Sequence, residues 1–225
     1  MSAMARIDDD VNVAISRLDI AFASGNDAAA RSLDHYLALM LKWNRVYNLT
    51  AITERSQMVS HHLLDSLSIV APLDALVDRR PAPHANPRIL DVGTGAGLPG
   101  IPLAIARPDW KLTLIDAVSK KTAFVTQAAA ELALKNVQVM TGRVEKEGAG
   151  LYDVIVSRAF ASLADFTSQT KPLLALDGRW AAMKGSIPFD ELNALPPDVE
   201  CEATIPLQVP GLDALRHLII MKVRR

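Results

Sequence analysis

"RILDVGTGAGLPGIPLAIARP", Arg88 to Pro108, is the stretch that decides the architecture. A short run of apolar residues enters a turn with glycine at positions 93, 95 and 97, and an apolar segment of helical length follows. A buried strand, a tight turn and a helix in that order open a parallel sheet, in which ligands sit beyond the carboxyl ends of the strands. Glycine frees the turn for left-handed backbone and lets a ligand approach closely. Pro99 and Pro102 are tolerable only in a first helical turn, which predicts a helix starting near Leu98.

Downstream, the same alternation continues. "KLTLID", "VQVM" and "YDVIVS" read as short strands buried on both faces. "SKKTAFVTQAAAELAL" carries Phe124, Val125, Ala128 and Leu132 at helical spacing, and "SLADFTSQTKPLL" opens with Ser162 and Asp165 in capping-box spacing before a third helical run. "GRWAAMK" is a further strand, and "ECEATIPL" and "ALRHLIIMKV" have no helix-length insert between them, so they predict an antiparallel hairpin at the sheet edge. The expected class is α/β: a doubly wound, mostly parallel sheet with helices on both faces and an antiparallel C-terminal hairpin.

Upstream the pattern is helical. Val11, Ile15, Leu18 and Phe22 form one stripe, Leu33, Tyr36, Leu37, Met40 and Leu41 a second after the "SGND" break, and Val59, Leu63, Leu67 and Val70 a third. Each needs a partner surface, which predicts an N-terminal helical region, residues 1–80, packed on a core domain of residues 81–225. "DRRPAPHANP", with three prolines, reads as the linker.

Composition narrows the setting. The 225 residues are 50% hydrophobic and 22% charged with a formal net charge of −1, as in a soluble globular protein. No apolar run reaches the roughly 20 residues that span a bilayer, and "MSAMARIDDD" lacks the order of a signal peptide, so a cytoplasmic location without membrane partners is expected. The single Cys201 excludes an internal disulfide and reads as a small buried hydrophobe. The five histidines show no metal-ligand spacing, and no metal site is expected. Up to Arg80 there are 8 Lys/Arg against 10 Asp/Glu, and from Pro81 onward 16 against 15. Any nucleic-acid partner therefore has to be recognised by local placement of charge.

The loop's ligand can be narrowed further. A dinucleotide fingerprint separates its glycines by 2 and then 3 positions, whereas here both steps are 2. The two prolines also delete amide donors that a pyrophosphate would use at a helix N-terminus. A phosphate-free nucleoside such as S-adenosylmethionine suits the site better. Asp91 closes the first strand, and Asp116 closes the second, 23 residues after Gly93, where an acid accepts bonds from ribose hydroxyls. After the third strand, "TGRVE" offers the Val144 amide and the Glu145 carboxylate to an adenine edge. The residues leave three functions open: an S-adenosylmethionine-dependent methyltransferase, whose RNA substrate only the resemblance below implies, an NAD-type oxidoreductase disfavoured by glycine spacing and prolines, and a non-catalytic adenosine- or RNA-binding module.

"LDVGTGAGLPGIPLAI", "LIDAVSKKTAFV", "GRVE" and "VSRAFASL", with "KWNRVYNLTAI" and "HHLLDSLS" upstream, resemble the bacterial guanine-N7 methyltransferases of small-subunit 16S ribosomal RNA, the RsmG type, also called glucose-inhibited division protein B. The likeness runs from about Leu41 to Lys184. It implies the S-adenosylmethionine-dependent methyltransferase type of sheet and methyl transfer to N7 of a guanine near the decoding centre. By the same resemblance Gly93, Leu98, Val144, Glu145 and Arg158 hold the cofactor, and 16S RNA or the small subunit is the partner of a monomeric enzyme.

Guanine N7 carries a free lone pair, so no general base is expected and alignment should do most of the work. Arg158 ends the fourth strand and is expected to grip guanine O6, an RNA phosphate or the cofactor carboxylate, leaving N7 open. Lys121 and Lys184 are further substrate-side candidates, and with Lys120, Lys171 and Arg179 they would form a basic rim. His61 and Asp65, four apart, are expected to share a helix face and a structural hydrogen bond.

Overall fold

The structure is a computed structural model that describes residues 10–79, 86–144, 151–158 and 160–224. Most of the predicted linker, residues 80–85, lies outside the described residues. Seven strands form one sheet: β1 (Arg88–Val92), β2 (Lys111–Asp116), β3 (Val137–Thr141), β4 (Tyr152–Ser157), β5 (Leu174–Lys184), β6 (Val199–Pro206) and β7 (His217–Val223). Their order is β3-β2-β1-β4-β5-β7-β6, with β1 to β5 parallel and β7 antiparallel to both β5 and β6. The order reverses between β1 and β4, and that is where an open sheet leaves a crevice at its strand tips. Ser157 closes the floor of the crevice by donating its hydroxyl to the Val92 carbonyl at 2.9 Å.

The two-residue period of the strands divides the core. Ile89, Leu114, Val154, Val156, Ala181 and Ile220 point to one face, and Leu90, Ile115, Ile155, Trp180, Ala182 and Ile219 to the other. The first face carries α1 (Val11–Ile15), α2 (Asn26–Tyr47), a broken helical run from Arg55 to Asp78, α6 (Gly100–Ala106) and α7 (Ser119–Glu131). The second is covered by α8 (Leu163–Thr170) through Leu163 and Phe166. Helices therefore lie on both faces, and one continuous buried cluster joins Val11 to Ile220. Trp43 of α2 packs edge-on against Phe124 of α7, with ring centres 5.7 Å apart. No helix among the described residues is long and apolar enough to cross a membrane.

Several sequence expectations need correction. α1 ends at Ile15, so Leu18 and Phe22 follow it in turns and are not part of the same helix. The third stripe is not one regular helix: α3 (Arg55–Met58) passes into a π-helical turn, Val59–Leu64, then α4 (Asp65–Leu67) and α5 (Val70–Asp78). Its four stripe residues are buried all the same. The third downstream helix stops at Thr170, because Leu174 already opens β5 after a short 3-10 turn. Its Ser162 cap does form, accepting from the Asp165 amide at 3.0 Å. α6 begins at Gly100, two residues later than predicted, with Pro99 as its N-cap and Pro102 in its first turn. A short helix, α9 (Phe189–Asn193), has no counterpart in the sequence expectations. Cys201 is exposed, because it lies on the solvent side of edge strand β6.

Candidate functional site

Gly93, Gly95 and Gly97 all adopt positive φ, at 70°, 59° and 89°. Their surroundings differ. A Cβ at Gly93 would meet nothing within 4 Å, and one at Gly95 only the loop's own Gly93 carbonyl at 3.9 Å, so this side of the turn is open to a ligand. Gly97 faces inward, where a Cβ would come within 2.7 Å of Ile101 and 3.4 Å of the Tyr36 hydroxyl. That hydroxyl, fully buried in α2, donates to the Ala96 carbonyl. The N-terminal helices thereby reach under the loop and hold it from below.

Most donors of this turn are committed. Gly93 and Thr94 both donate to the Ile115 carbonyl, and Gly97 and Leu98 to the Thr94 carbonyl. At the start of α6 the Gly100 amide donates to Asp91 Oδ2 at 2.9 Å and the Ile101 amide to the Gly97 carbonyl at 2.7 Å, while Pro99 and Pro102 have no N–H. A pyrophosphate would find no free amide at this helix end. Asp91 itself is fully buried and acts as a side-chain cap, taking the Thr94 hydroxyl at 2.6 Å as well. Leu98 is buried beneath the loop.

Asp116 lies at the tip of β2, almost buried. Its Oδ2 accepts from the Gly95 amide and its Oδ1 from the Val118 amide, each at 2.9 Å, and Lys121 Nζ stands 3.8 Å away. The carboxylate sets the shape of the turn and keeps further lone pairs for a ligand's hydroxyls. Val144 is buried at the end of β3, and Glu145 lies outside the described residues.

Beyond β4 the crevice widens into a cavity of about 390 Å³ lined by His61, His62, Asp65, Arg158, Lys184 and Arg216, among others. Arg158 donates to the His61 carbonyl at 3.2 Å and lies 3.6 Å from Asp65 Oδ2. Arg216, just before β7, donates through Nε to Asp65 Oδ1 at 2.9 Å. Lys184 Nζ is held by both oxygens of Glu191, at 2.9 and 3.0 Å. His61 bonds Ser60 and the Gln57 carbonyl within its own helical run, and Asp65 reaches the sheet through Arg158 and Arg216, so the two make separate structural contacts and not an acid-base pair.

Of the substrate-side candidates, Arg158 and Lys184 come together, while Lys121 belongs to the Asp116 side. The wider rim does not assemble. Lys171 pairs with Asp198, and Arg179 with Glu202, both toward the amino ends of the parallel strands. Lys120 stands exposed at the start of α7. Sequence reasoning missed Tyr36, Gly100, His62 and Arg216. Gly100 had a signal, as a fourth glycine in the opening stretch; the other three are brought in from distant elements.

Two buried groups are shifted from their ordinary values, with opposite consequences for stability. His62, with Nε2 2.9 Å from Thr50 Oγ1 and a buried Nδ1 that has no partner, is held down at about 4 by burial and then by the Arg158 and His61 charges, against a backbone hydrogen bond that favours protonation. Burial pushes Asp91 up to about 6, with Asp116 adding to the rise and Thr94, Gly100 and Arg158 opposing it. As pH falls from about 6.5 toward 4 the unfolded His62 takes a proton that the folded one refuses, so stability is lost. Asp91 has the opposite sign: folded protein binds the proton first, and stability is gained as pH falls through about 6. His62→Gln should therefore shift the stability change between pH 7 and pH 5 by about 2 kcal/mol in favour of the acidic side, relative to the unsubstituted protein. Denaturant unfolding at the two pH values measures it; an unchanged pH response would show that the fold does not hold His62 neutral.

The sequence matches the GidB family, described as rRNA small subunit methyltransferase G, over residues 29–219. It is 51% identical over 193 residues to Ribosomal RNA small subunit methyltransferase G of Laribacter hongkongensis, covering 85% of this chain and 88% of the relative. It is 49% identical over 205 residues to the protein of the same name from Neisseria gonorrhoeae, covering 90% and 94%. Among solved structures, a SAM-dependent methyltransferase from Thiobacillus denitrificans in complex with S-adenosyl-L-homocysteine superposes with a TM-score of 0.54 at 12% identity, over 80% of this chain and 98% of that one. That likeness concerns the fold.

Proposed function

The chain belongs to the rRNA small subunit methyltransferase G family and is an S-adenosylmethionine-dependent ribosomal RNA methyltransferase, and from that premise we propose that it methylates N7 of one guanine in 16S RNA. The observation that carries the cofactor site is the turn itself: open above Gly93 and Gly95, bounded by the Asp116 carboxylate, and followed by a helix end with no amide left for a phosphate. Such a cradle fits a nucleoside with ribose hydroxyls and no pyrophosphate.

Gly93, Gly95 and Gly97 would hold the cofactor's amino-acid end, Asp116 its ribose, and Leu98, Val144 and Glu145 its adenine side, with Arg158 at the reacting end. Asp91 contributes from beneath by fixing the turn onto α6. When bound, S-adenosylmethionine supplies an electrophilic methyl group on sulfur. The protein's share is alignment, because the attacking N7 lone pair needs no proton removed. Asp65, the carboxylate that lines the cavity beyond β4, is tied up by two arginines and unsuited to act as a base. Holding the reactants in line can be worth roughly 7–11 kcal/mol.

In this account residues 1–80 form a helical region packed on the methyltransferase domain, residues 81–225. Tyr36 supports that arrangement by bracing the cofactor turn from α2. The enzyme works in the cytoplasm as a monomer on 16S RNA or the small subunit, with Arg158, Lys121 and Lys184 on the substrate side.

The test is transfer of labelled methyl to 16S RNA, intact small subunits and an unrelated RNA, followed by borohydride and aniline cleavage, which cuts at 7-methylguanosine. Label confined to small-subunit RNA with scission at one guanine is expected. Label without scission would place the methyl on another atom, and no label would remove the activity.

A further inference from the structure

The cavity beyond β4 contains a charge arrangement that methyl transfer alone does not explain. Asp65 is 3% exposed, and its two oxygens are taken by two different arginines from separate strands, Arg158 after β4 and Arg216 before β7. Lys184 is neutralised by Glu191, so the cavity's charge comes down to two guanidinium groups against one carboxylate. Arg158 uses NH1, and Arg216 uses Nε and, toward the Leu215 carbonyl, NH1. The remaining N–H groups of both forks have no hydrogen-bond partner among the described residues. A chain whose halves are each close to neutral thus concentrates a net positive charge in one concave site at the strand tips.

We infer that Arg158 and Arg216 together form a clamp for a phosphodiester of the RNA strand beside the target guanine, with Asp65 bridging the two guanidinium groups and fixing their positions. This rests on the RNA methyltransferase reading above and adds a residue and a ligand group to it. A phosphate suits the clamp better than the alternatives. The cofactor's carboxylate belongs with the glycine turn, none of which lines this cavity, and Arg216 reaches the site from beyond β5. A guanine edge would be gripped through O6 and N7 together, and N7 has to stay free. Backbone phosphates, by contrast, are what protein donors use to fix register before chemistry on a base.

The experiment compares wild type, Arg216→Gln and Arg216→Lys. Methyl transfer to small-subunit RNA is followed across a range of salt, S-adenosylhomocysteine binding by calorimetry, and folding by melting temperature. For Arg216→Gln, KM for RNA is expected to rise about tenfold with kcat within about twofold, and the slope of log kcat/KM against log salt to flatten by about 0.7 to 1. S-adenosylhomocysteine affinity should stay within about twofold, and Arg216→Lys should keep the slope. Should neither variant fold, wild type acting on RNA with a neutral methylphosphonate beside the target guanine should show the same flattening. An unchanged slope overturns the clamp, and weakened S-adenosylhomocysteine binding reassigns Arg216 to the cofactor. If wild type transfers no methyl to small-subunit RNA, the underlying reading fails as well, which is a separate outcome.

Discussion

Alanine in place of Asp116 is expected to weaken S-adenosylhomocysteine binding on the order of 100-fold, the larger part of it through the shape of the glycine turn. The carboxylate takes the Gly95 and Val118 amides at 2.9 Å each, and bonds to a charged acceptor are worth about 1.5–3 kcal/mol apiece. Removing it releases the positive-φ Gly95 and deletes the acceptor proposed for the ribose. Asp116→Asn keeps one acceptor oxygen and should fall between the two. Calorimetric titration measures both; a loss below about threefold for alanine would mean that the turn is held without Asp116.

Gly100→Ala should have the largest effect on stability. A Cβ there would come within 2.6 Å and 2.7 Å of Leu114 and 2.8 Å of Asp91 Oδ2, all in the buried seam between α6 and strands β1 and β2. Leu114 and Asp91 are both fully buried, so neither can move aside cheaply. Overpacking of this kind costs about 1–3 kcal/mol, and pushing Asp91 off the Gly100 amide adds to it. For a chain of this size the expected drop in melting temperature is roughly 5–12 °C. Gly93→Ala, where there is space but φ is +70°, should cost less stability than Gly100→Ala and more cofactor affinity. Equal melting temperatures for wild type and Gly100→Ala would show that the seam is looser than the structure has it.

The parallel sheet was legible in the sequence because its central strands are short apolar runs of the kind buried on both faces, and "RILDV", "KLTLID" and "YDVIVS" coincide with β1, β2 and β4. Boundaries failed where tertiary packing overrode local pattern. The spacing of Val59, Leu63 and Leu67 fits a regular helix, yet the backbone widens into a π turn, and it is in this run that Asp65 meets two arginines. Cys201 read as a core residue from its residue type alone, although its own run lies in the edge hairpin and Glu200 and Glu202 flank it on either side. The cofactor turn could be read because its geometry is local: three glycines, two prolines and an acid at each of two strand ends. The cavity could not, because Arg158 and Arg216 are 58 residues apart and Asp65 is a further 93 upstream of Arg158. Only the folded sheet, with β7 inserted beside β5, brings them together.

The most direct measurement is calorimetric titration of the purified protein with S-adenosylhomocysteine and, separately, with NAD. Saturable binding of S-adenosylhomocysteine at one site per chain with no heat from NAD is the predicted result, since the turn offers open glycines and an acid while the helix end behind it has no free amide for a pyrophosphate. Tight binding of NAD, or no binding of S-adenosylhomocysteine, would contradict it.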